Sequence, residues 1–256
     1  FNKKTNTKLS CCALGLALLF LPLPLFALQQ PFDHSLWDQF LKQFVNDEGG
    51  VNYGAVKRDS FLLTEYLKKI EAIDPADMRK NWPREERLAL FLNLYNAGCI
   101  AAVIPHYPVK TIQAIPGVWD IDFLKVAGRG YSLNQIRARE LLQTFRDEKI
   151  HTALACPAMS CPRLVREAYT GPRVEGQLFL AARRFVNDSK WAEILPGEKK
   201  VRISKIFKWY GNDFTLDFGV PDNERGFSPT EYAVLSFIAH YLDDPEKARF
   251  LEEEDF

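Results

Sequence analysis

The chain has 256 residues, with 33 Lys and Arg against 33 Asp and Glu, and 47% of its residues are hydrophobic. This composition excludes a disordered or low-complexity protein. The formal net charge of zero provides no basic field, so we expect no nucleic-acid partner.

The amino-terminal segment has the pattern of a secretory signal peptide. Three lysines within the first eight residues precede an apolar run over residues 9–21, and a small-residue cleavage site ends at Ala27. We therefore predict a signal peptide over residues 1–27 and a periplasmic or secreted protein over residues 28–256. The alternative is an uncleaved anchor, because residues 9–28 are long enough to cross a bilayer, and a membrane partner is expected only in that case.

The hydrophobic periodicity of the remaining chain predicts mostly helices. The predicted helices cover residues 33–45, 60–70, 84–104, 132–145, 174–186, 204–209 and 228–242. The predicted extended segments are residues 51–53, a hairpin over 120–131, and strands over 150–155 and 200–203. Without a βαβα rhythm, this order predicts an α+β fold: a single domain with a small, mostly antiparallel sheet packed by several helices.

Three polar residues interrupt the predicted helix 84–104, which is otherwise apolar nearly all round and is expected to be central. Asn93 and Asn96 share a helix face because they are three residues apart, and Tyr95 lies between them. Buried amides need partners, so this face either holds a polar ligand or bonds to neighbouring loop backbone.

A second group of candidates follows the predicted strand 150–155. His151 precedes Cys156, which ends the strand before Pro157, so the imidazole could activate the thiol as a nucleophile. Alternatively, Cys156 and Cys161 form a disulfide or are buried thiols without a role. Zinc binding with His151 lacks a fourth ligand and the usual cysteine spacing, so we predict neither a metal nor a cofactor. Asp213, between aromatic residues, either orients a histidine as the third member of a triad or caps the next turn.

Several short motifs follow one another in a specific order. They are Phe91–Ala97, Tyr107–Ile112, Tyr131–Leu133, Lys149–Leu154, Cys156, Ser160–Pro162, Glu167–Tyr169 and Trp209–Phe214. Together they resemble the domain of unknown function 547 family over about residues 90–214. The resemblance carries over the family's motif positions onto Asn93, Tyr95, Asn96, His151, Cys156, Cys161 and Asp213.

The chain departs from that family's pattern shortly after Ser132. Relatives usually continue with an Ile-Glu-His type of stretch, whereas this chain has Ile136 followed by Arg137 and Ala138. If the Glu-His pair performs chemistry in relatives, the resemblance implies that this chain lacks that chemistry.

Two functions from different classes fit these residues. The first is an exported thiol-dependent hydrolase or acyl transferase, similar to the papain and transglutaminase folds, with Cys156 (or Cys161) as nucleophile, His151 as base and Asp213 as orienting group. The second is a periplasmic ligand- or partner-binding domain that holds a small molecule or peptide without turnover. The candidate ligand-binding residues are Asn93, Tyr95, Asn96 and Cys161, together with His151.

Overall fold

The structure is a computed structural model that describes Phe1 and residues 31–158, 160–220 and 225–253. The predicted signal peptide therefore lies outside the described residues, apart from Phe1. The α-helices are α1 (Ser35–Phe44), α2 (Tyr53–Arg58), α3 (Phe61–Glu71), α4 (Pro75–Asn81), α5 (Arg84–Val103), α6 (Leu133–Gln135), α7 (Val174–Val186), α8 (Lys205–Tyr210), α9 (Thr215–Phe218), α10 (Pro229–Tyr241) and α11 (Pro245–Glu253). The strands are β1 (Leu124–Val126), β2 (Arg129–Tyr131), β3 (Ala192–Leu195) and β4 (Lys200–Ile203).

Helix α5 is the buried centre of the larger hydrophobic core, as its nearly uniform apolar character predicts. Its residues from Leu88 to Ile100 are all buried, including both asparagines. Among the described residues, the stretch Arg84–His106 is the one helix long and apolar enough to cross a membrane by length and composition, and 78% of its most apolar window is buried inside the protein. The core helix of a folded domain has the same length and apolar composition.

The strands form two separate antiparallel hairpins. In the first, Leu124 pairs with Tyr131, and in the second, Ala192 pairs with Ile203. The α+β class is confirmed, with helices predominating and the predicted small sheet divided into these two hairpins. The first hairpin and strand β4 match the prediction, whereas β3 is absent from it.

Helix α7 joins two hydrophobic clusters. Its first half contributes Val174, Leu178 and Ala181 to the larger cluster around α5. Its second half contributes Ala182, Phe185 and Val186 to a smaller cluster formed with α8 and α10. The periodicity predicts the bounds of α7 correctly but wrongly turns Leu180 inward: this residue is 48% exposed, beside the exposed Phe179, on the face opposite the buried stripe.

The strand predicted over residues 150–155 is wrong. Residues Glu148–Thr152 form a 3₁₀-helix, and the chain beyond it has no regular secondary structure up to Cys156. The Asp147 carboxylate accepts the Lys149 N–H at 2.9 Å, and this bond stabilises the first turn. A short buried apolar run does not distinguish a strand from a helical turn, and here the neighbouring α7 buries the turn.

The helix after the first hairpin begins as predicted and then changes from an α-helix to a wider π-helix. Ser132 and Gln135 form a reciprocal capping box at the start of α6. The helix continues as a π-helix over Ile136–Gln143, near the predicted end at residue 145. The π-helix carries Arg137 on the side that faces the cleft described below.

Several short elements have no counterpart in the predicted order. They are α2, α4, α9, α11 and β3, none of which is longer than nine residues. Such segments span too few turns to show a clear hydrophobic period, so tertiary contacts decide their conformation.

Candidate functional site

A cleft of about 320 Å³ lies where α5, the π-helix, α8 and the 3₁₀-turn Glu148–Thr152 meet. This volume lies at the lower end of the range for small-molecule sites. The lining residues are Tyr95, Gln113, Trp119, Asn134, Arg137, His151, Leu154, Cys156, Ala158, Cys161, Ile206, Trp209 and Tyr210.

His151 and Asp213 form the polar centre of this site. The Nε2 atom of His151 lies 2.8 Å from Oδ2 of Asp213, and His151 is only 2% exposed. The imidazole also stacks on Tyr210, with ring centroids 4.6 Å apart and 13° between the planes. The orienting partner predicted for His151 is thus in contact with it, 62 residues away in sequence.

The contact with Asp213 determines which nitrogen of His151 carries the proton. A carboxylate accepts hydrogen bonds, so Nε2 carries the proton and donates it, and Nδ1 is left as an acceptor. No hydrogen bond among the described residues occupies Nδ1. Burial lowers the pKa of His151, although the hydrogen bond to Asp213 opposes this shift. The imidazole is therefore neutral at pH 7, and its Nδ1 atom is the nitrogen that can still accept a hydrogen bond.

Arg137 supplies positive charge on the cleft wall. One Nη atom donates to Oδ1 of Asn134 at 3.1 Å, and the guanidinium lies over the Tyr210 ring, 4.8 Å from its centroid. Among the described residues, no carboxylate forms an ion pair with Arg137. Of the described lining residues, it is also the one that carries a full charge at pH 7. Arg137 is therefore the cationic group of the described cleft wall, whereas the Asp213 and Asp120 carboxylates bond to the lining residues His151 and Asn134.

Aromatic side chains form much of the remaining wall. Tyr95 is buried on α5, and burial raises its pKa well above the ordinary value, so its hydroxyl stays protonated. Trp209 is 52% exposed. Together with Trp119 and Tyr210, these rings give the cleft flat apolar surfaces beside its polar groups.

Cys156 and Cys161 are joined by a disulfide, with their Cα atoms 5.6 Å apart. The disulfide alternative is therefore the one present in the structure, and the prediction of a free thiol at Cys156 does not hold in this state, because a disulfide sulfur has no proton to lose and is not a thiolate. Bonded sulfurs are also not thiolate ligands, and the described residues contain no group of three His, Cys, Asp or Glu placed to hold a metal ion. Cys99 is a buried free cysteine, and burial raises its pKa to about 12.

The two asparagines of α5 face backbone and not the cleft, contrary to the prediction that they bind a ligand. Asn96 accepts the Ala155 N–H at 2.9 Å and donates to the Ala153 carbonyl at 3.1 Å. Asn93 makes the same pair of bonds to the backbone of Tyr169, at 3.0 and 2.8 Å. Neither lines the cleft. Both are buried, and these loops use their hydrogen-bonding capacity, with a further contact of 3.2 Å between Nδ2 of Asn93 and Nδ1 of His34.

The structure thus brings Tyr95, His151, Cys156 and Cys161 to one cleft and places Asp213 behind His151. The cleft residues that sequence reasoning missed are Gln113, Trp119, Asn134, Arg137, Trp209 and Tyr210. One signal for Arg137 existed, because the chain departs from the pattern of the resembling family at this position. The aromatic residues gave no such signal, since exposed and buried rings look alike in a sequence.

Residues 79–186 match the family described as Protein of unknown function, DUF547. The matched span runs from the end of α4 through α7 and includes Tyr95, Arg137, His151 and both cysteines of the cleft. The resemblance carried by the motifs is confirmed over this span. The last motif, with Asp213, lies beyond the match. No curated protein and no solved structure matches the chain.

Proposed function

We propose that the cleft binds a small molecule that carries an anionic group, such as a carboxylate or a phosphate. The observation that carries this proposal is the Arg137 guanidinium, which lines a concave site without an ion-pair partner among the described residues. This is the ligand-binding alternative predicted from the sequence, with His151 kept and Arg137 in place of the two asparagines.

The chemistry of Arg137 favours an anion of defined geometry. The planar guanidinium offers parallel N–H groups that match the two oxygens of a carboxylate or phosphate. Within the described residues, Arg137 donates one hydrogen bond, to Asn134. Its other guanidinium N–H groups remain to bind a ligand. Its stacking on Tyr210 restricts the plane of the guanidinium before a ligand arrives.

His151 contributes the second polar contact. Its Nδ1 accepts a hydrogen bond from a hydroxyl or amine group of the ligand, and Asp213 keeps the ring in the required tautomer. The rings of Trp119 and Trp209 provide apolar contact for a flat ligand body. The proposed ligand therefore combines an acid group, a hydrogen-bond donor and an unsaturated or aromatic part.

Titration with 4-hydroxybenzoate as the probe, followed by tryptophan fluorescence, tests this proposal. Trp119 and Trp209 line the cleft, so we expect saturable quenching. Arg137→Gln should weaken binding by about 10- to 100-fold, because a charged hydrogen bond contributes about 1.5–3 kcal/mol. The control is Arg139→Gln, in the same π-helix, whose side chain is 58% exposed and which does not line the cleft. Equal affinity of wild type and Arg137→Gln would contradict the proposal.

A second candidate function is the thiol-dependent hydrolase or acyl transferase. Its support is that Cys156 and His151 line the same cleft while Asp213 orients His151. This function requires prior reduction, after which Nδ1 of His151 would accept the Cys156 proton and the thiolate would attack an acyl carbon. The likeness to papain and transglutaminase folds stays a prediction.

Hydrolysis of 4-nitrophenyl acetate before and after reduction tests this second candidate. We expect activity only in the reduced protein, with loss in Cys156→Ala and retention in Cys161→Ala. Alkylation of the reduced protein by iodoacetamide across about pH 5 to 9 should show a thiolate that persists below pH 7. An inert thiol throughout that range would exclude this function.

We also propose that the protein is exported, with cleavage near Ala27. The disulfide supports this proposal, because such bonds persist in oxidising compartments and are rare in the cytosol. Amino-terminal sequencing of protein from the periplasm or medium should begin at or near Leu28. Recovery of the segment before Leu28 on protein from purified membranes would favour the anchor instead.

A further inference from the structure

We propose that Cys156 and Cys161 form an exchange-active disulfide that oxidises low-molecular-weight thiols entering the cleft. This activity goes beyond the proposed anion binding and does not require it. The observation that carries the inference is the position of both cysteines in the wall of a ligand-sized cleft that Arg137 and His151 also line.

The disulfide is accessible to a small reductant. Both cysteines are partly exposed and line the cleft, whereas Cys99 is buried at 1% exposure. The cleft volume of about 320 Å³ admits a small thiol compound but not a folded protein chain. These dimensions favour low-molecular-weight thiols as the substrate class.

The backbone on both sides of the disulfide is held by bonds that do not involve sulfur. Before Cys156, Asn96 of α5 bonds to Ala153 and Ala155. Before Cys161, the Ser160 carbonyl accepts the Ser204 hydroxyl at 2.9 Å. Breaking the S–S bond leaves these contacts in place, so the two thiols stay close enough to reform the bond. Reversible exchange requires this property.

The reaction proceeds in two displacements. A substrate thiolate attacks the sulfur of one cysteine, the protein S–S bond breaks, and the other cysteine leaves as a thiolate that takes up a proton. A second substrate thiolate then attacks the substrate sulfur of the mixed disulfide and releases the first cysteine as a second thiolate. Two substrate thiols become one disulfide, and the protein pair gains two electrons and two protons.

Two cleft residues favour these steps. The Arg137 guanidinium stabilises negative charge on the leaving sulfur, because a nearby cation favours a thiolate. His151, with Nδ1 unprotonated, accepts the proton of the incoming thiol and can return it to the leaving sulfur. Both groups belong to the fold and are dispersed when the chain unfolds.

The rate of disulfide reduction by dithiothreitol in folded and urea-unfolded protein tests the proposal. Aliquots are quenched with iodoacetamide and the alkylated cysteines are counted by mass spectrometry. We expect reduction of the folded protein to be about tenfold faster, since only the folded state places Arg137 and His151 beside the sulfurs. A folded-state rate equal to or below the unfolded-state rate would overturn the proposal and make the disulfide purely structural.

Turnover provides the second test. Catalytic amounts of protein should accelerate electron transfer from dithiothreitol to oxidised glutathione, and Cys161→Ser should abolish the acceleration. The control Cys99→Ala should retain it, with circular dichroism verifying the fold of each variant. Loss of turnover in Cys161→Ser separates exchange from the hydrolase, which needs Cys156 alone, and a failure of 4-hydroxybenzoate binding leaves this assay unaffected. Undiminished turnover in Cys161→Ser would refute a paired mechanism.

Discussion

The side chain of Asn96 connects the central helix to the segment that leads into the cleft. Its amide uses one acceptor and one donor on the backbone of Ala153 and Ala155. Both backbone groups would otherwise need other partners in a region that is mostly buried. A residue that looks like a ligand-binding amide in the sequence therefore has a structural role, and it acts on the cleft by positioning Cys156.

Asn96→Ala should lower the free energy of unfolding by about 2–4 kcal/mol, because it leaves two backbone groups without partners. Urea unfolding followed by circular dichroism measures this loss. Asn81→Ala is the matched control, since within the described residues that exposed amide bonds to the Asp77 side chain alone, and we expect a change within about 0.5 kcal/mol. Equal losses in the two variants would show that the Asn96 bonds contribute nothing specific.

Glu148 is a buried carboxyl at the start of the 3₁₀-turn that carries His151. It is 3% exposed, and its Oε2 atom has no hydrogen-bond partner within the described part of the chain. Burial raises the pKa of Glu148 to about 7, with Asp217 and Asp147 adding to the shift and Lys149 opposing it. The folded state therefore favours the protonated carboxyl.

This shift has a defined sign in the pH dependence of stability. Because the folded-state pKa lies above that of the unfolded chain, the stabilisation is complete below about pH 4.5 and is lost as the pH rises through about 7. Glu148→Gln resembles the protonated form and should raise the free energy of unfolding by about 1–2 kcal/mol at pH 8. Urea unfolding of the wild type and of the variant at about pH 4.5 and at pH 8 measures this gain. The exposed Glu246→Gln is the control. If Glu148→Gln raised the free energy of unfolding at low pH and not at high pH, the raised pKa of Glu148 would be contradicted.

At the scale of elements, successive residues within one turn of α5 contact different parts of the molecule. Tyr95 faces the cleft, Asn96 holds the segment before Cys156, and Gly98 lies against the first hairpin and α6. A Cβ atom at position 98 would overlap the Leu124 side chain and lie 3.1 Å from the Leu133 side chain. The close approach of these elements therefore depends on the missing side chain.

Gly98→Ala should lower the free energy of unfolding by about 1–3 kcal/mol, since overpacking outweighs the gain of about 1 kcal/mol in helix propensity. The matched control is Gly176→Ala in α7, where nothing lies within 4 Å of the added Cβ. That variant should be stabilised by about 0.5–1 kcal/mol. Denaturant midpoints of both proteins measure the difference, and stabilisation of Gly98→Ala would show that α5 and the hairpin do not meet as described.

For the whole molecule, the main structural fact is the continuity of its two hydrophobic clusters through α7. Trp37 belongs to the larger cluster and Trp191 to the smaller one. Because α7 contributes side chains to both, unfolding of one cluster removes part of the other. The single domain over residues 28–256 stays a prediction, and cooperative unfolding would be its signature.

Tryptophan fluorescence and far-ultraviolet circular dichroism should report one coincident unfolding transition. Phe185→Ala, in the smaller cluster, should shift both curves together by about 3–5 kcal/mol, because it removes a buried ring that stacks on Trp191. Limited proteolysis should trim only the ends of the chain. Two separate transitions, or a stable fragment pair cut near residue 130, would mean that the clusters fold independently.

The sequence predicts most of the helical framework but little of the cleft. The bounds of α7 and β4 and both capping boxes follow from local patterns, because periodicity and caps depend on residues within a few positions of one another. The strand predicted at His151 is wrong because a short, buried apolar run is compatible with either a strand or a helical turn. Asn93 and Asn96 are buried as predicted, but their partners lie 76 and at least 57 residues away.

The sequence by itself determined the α+β class, the central position of α5, the family resemblance and the choice of His151, Cys156, Cys161 and Asp213 as candidates. The tertiary structure alone decided which of them meet. It paired His151 with Asp213, joined Cys156 to Cys161 and placed Arg137 in the same cleft as His151 and both cysteines. The physical reason is that helix caps and amphipathic faces are encoded over one or two turns, whereas a cleft forms from side chains brought together by packing between distant elements.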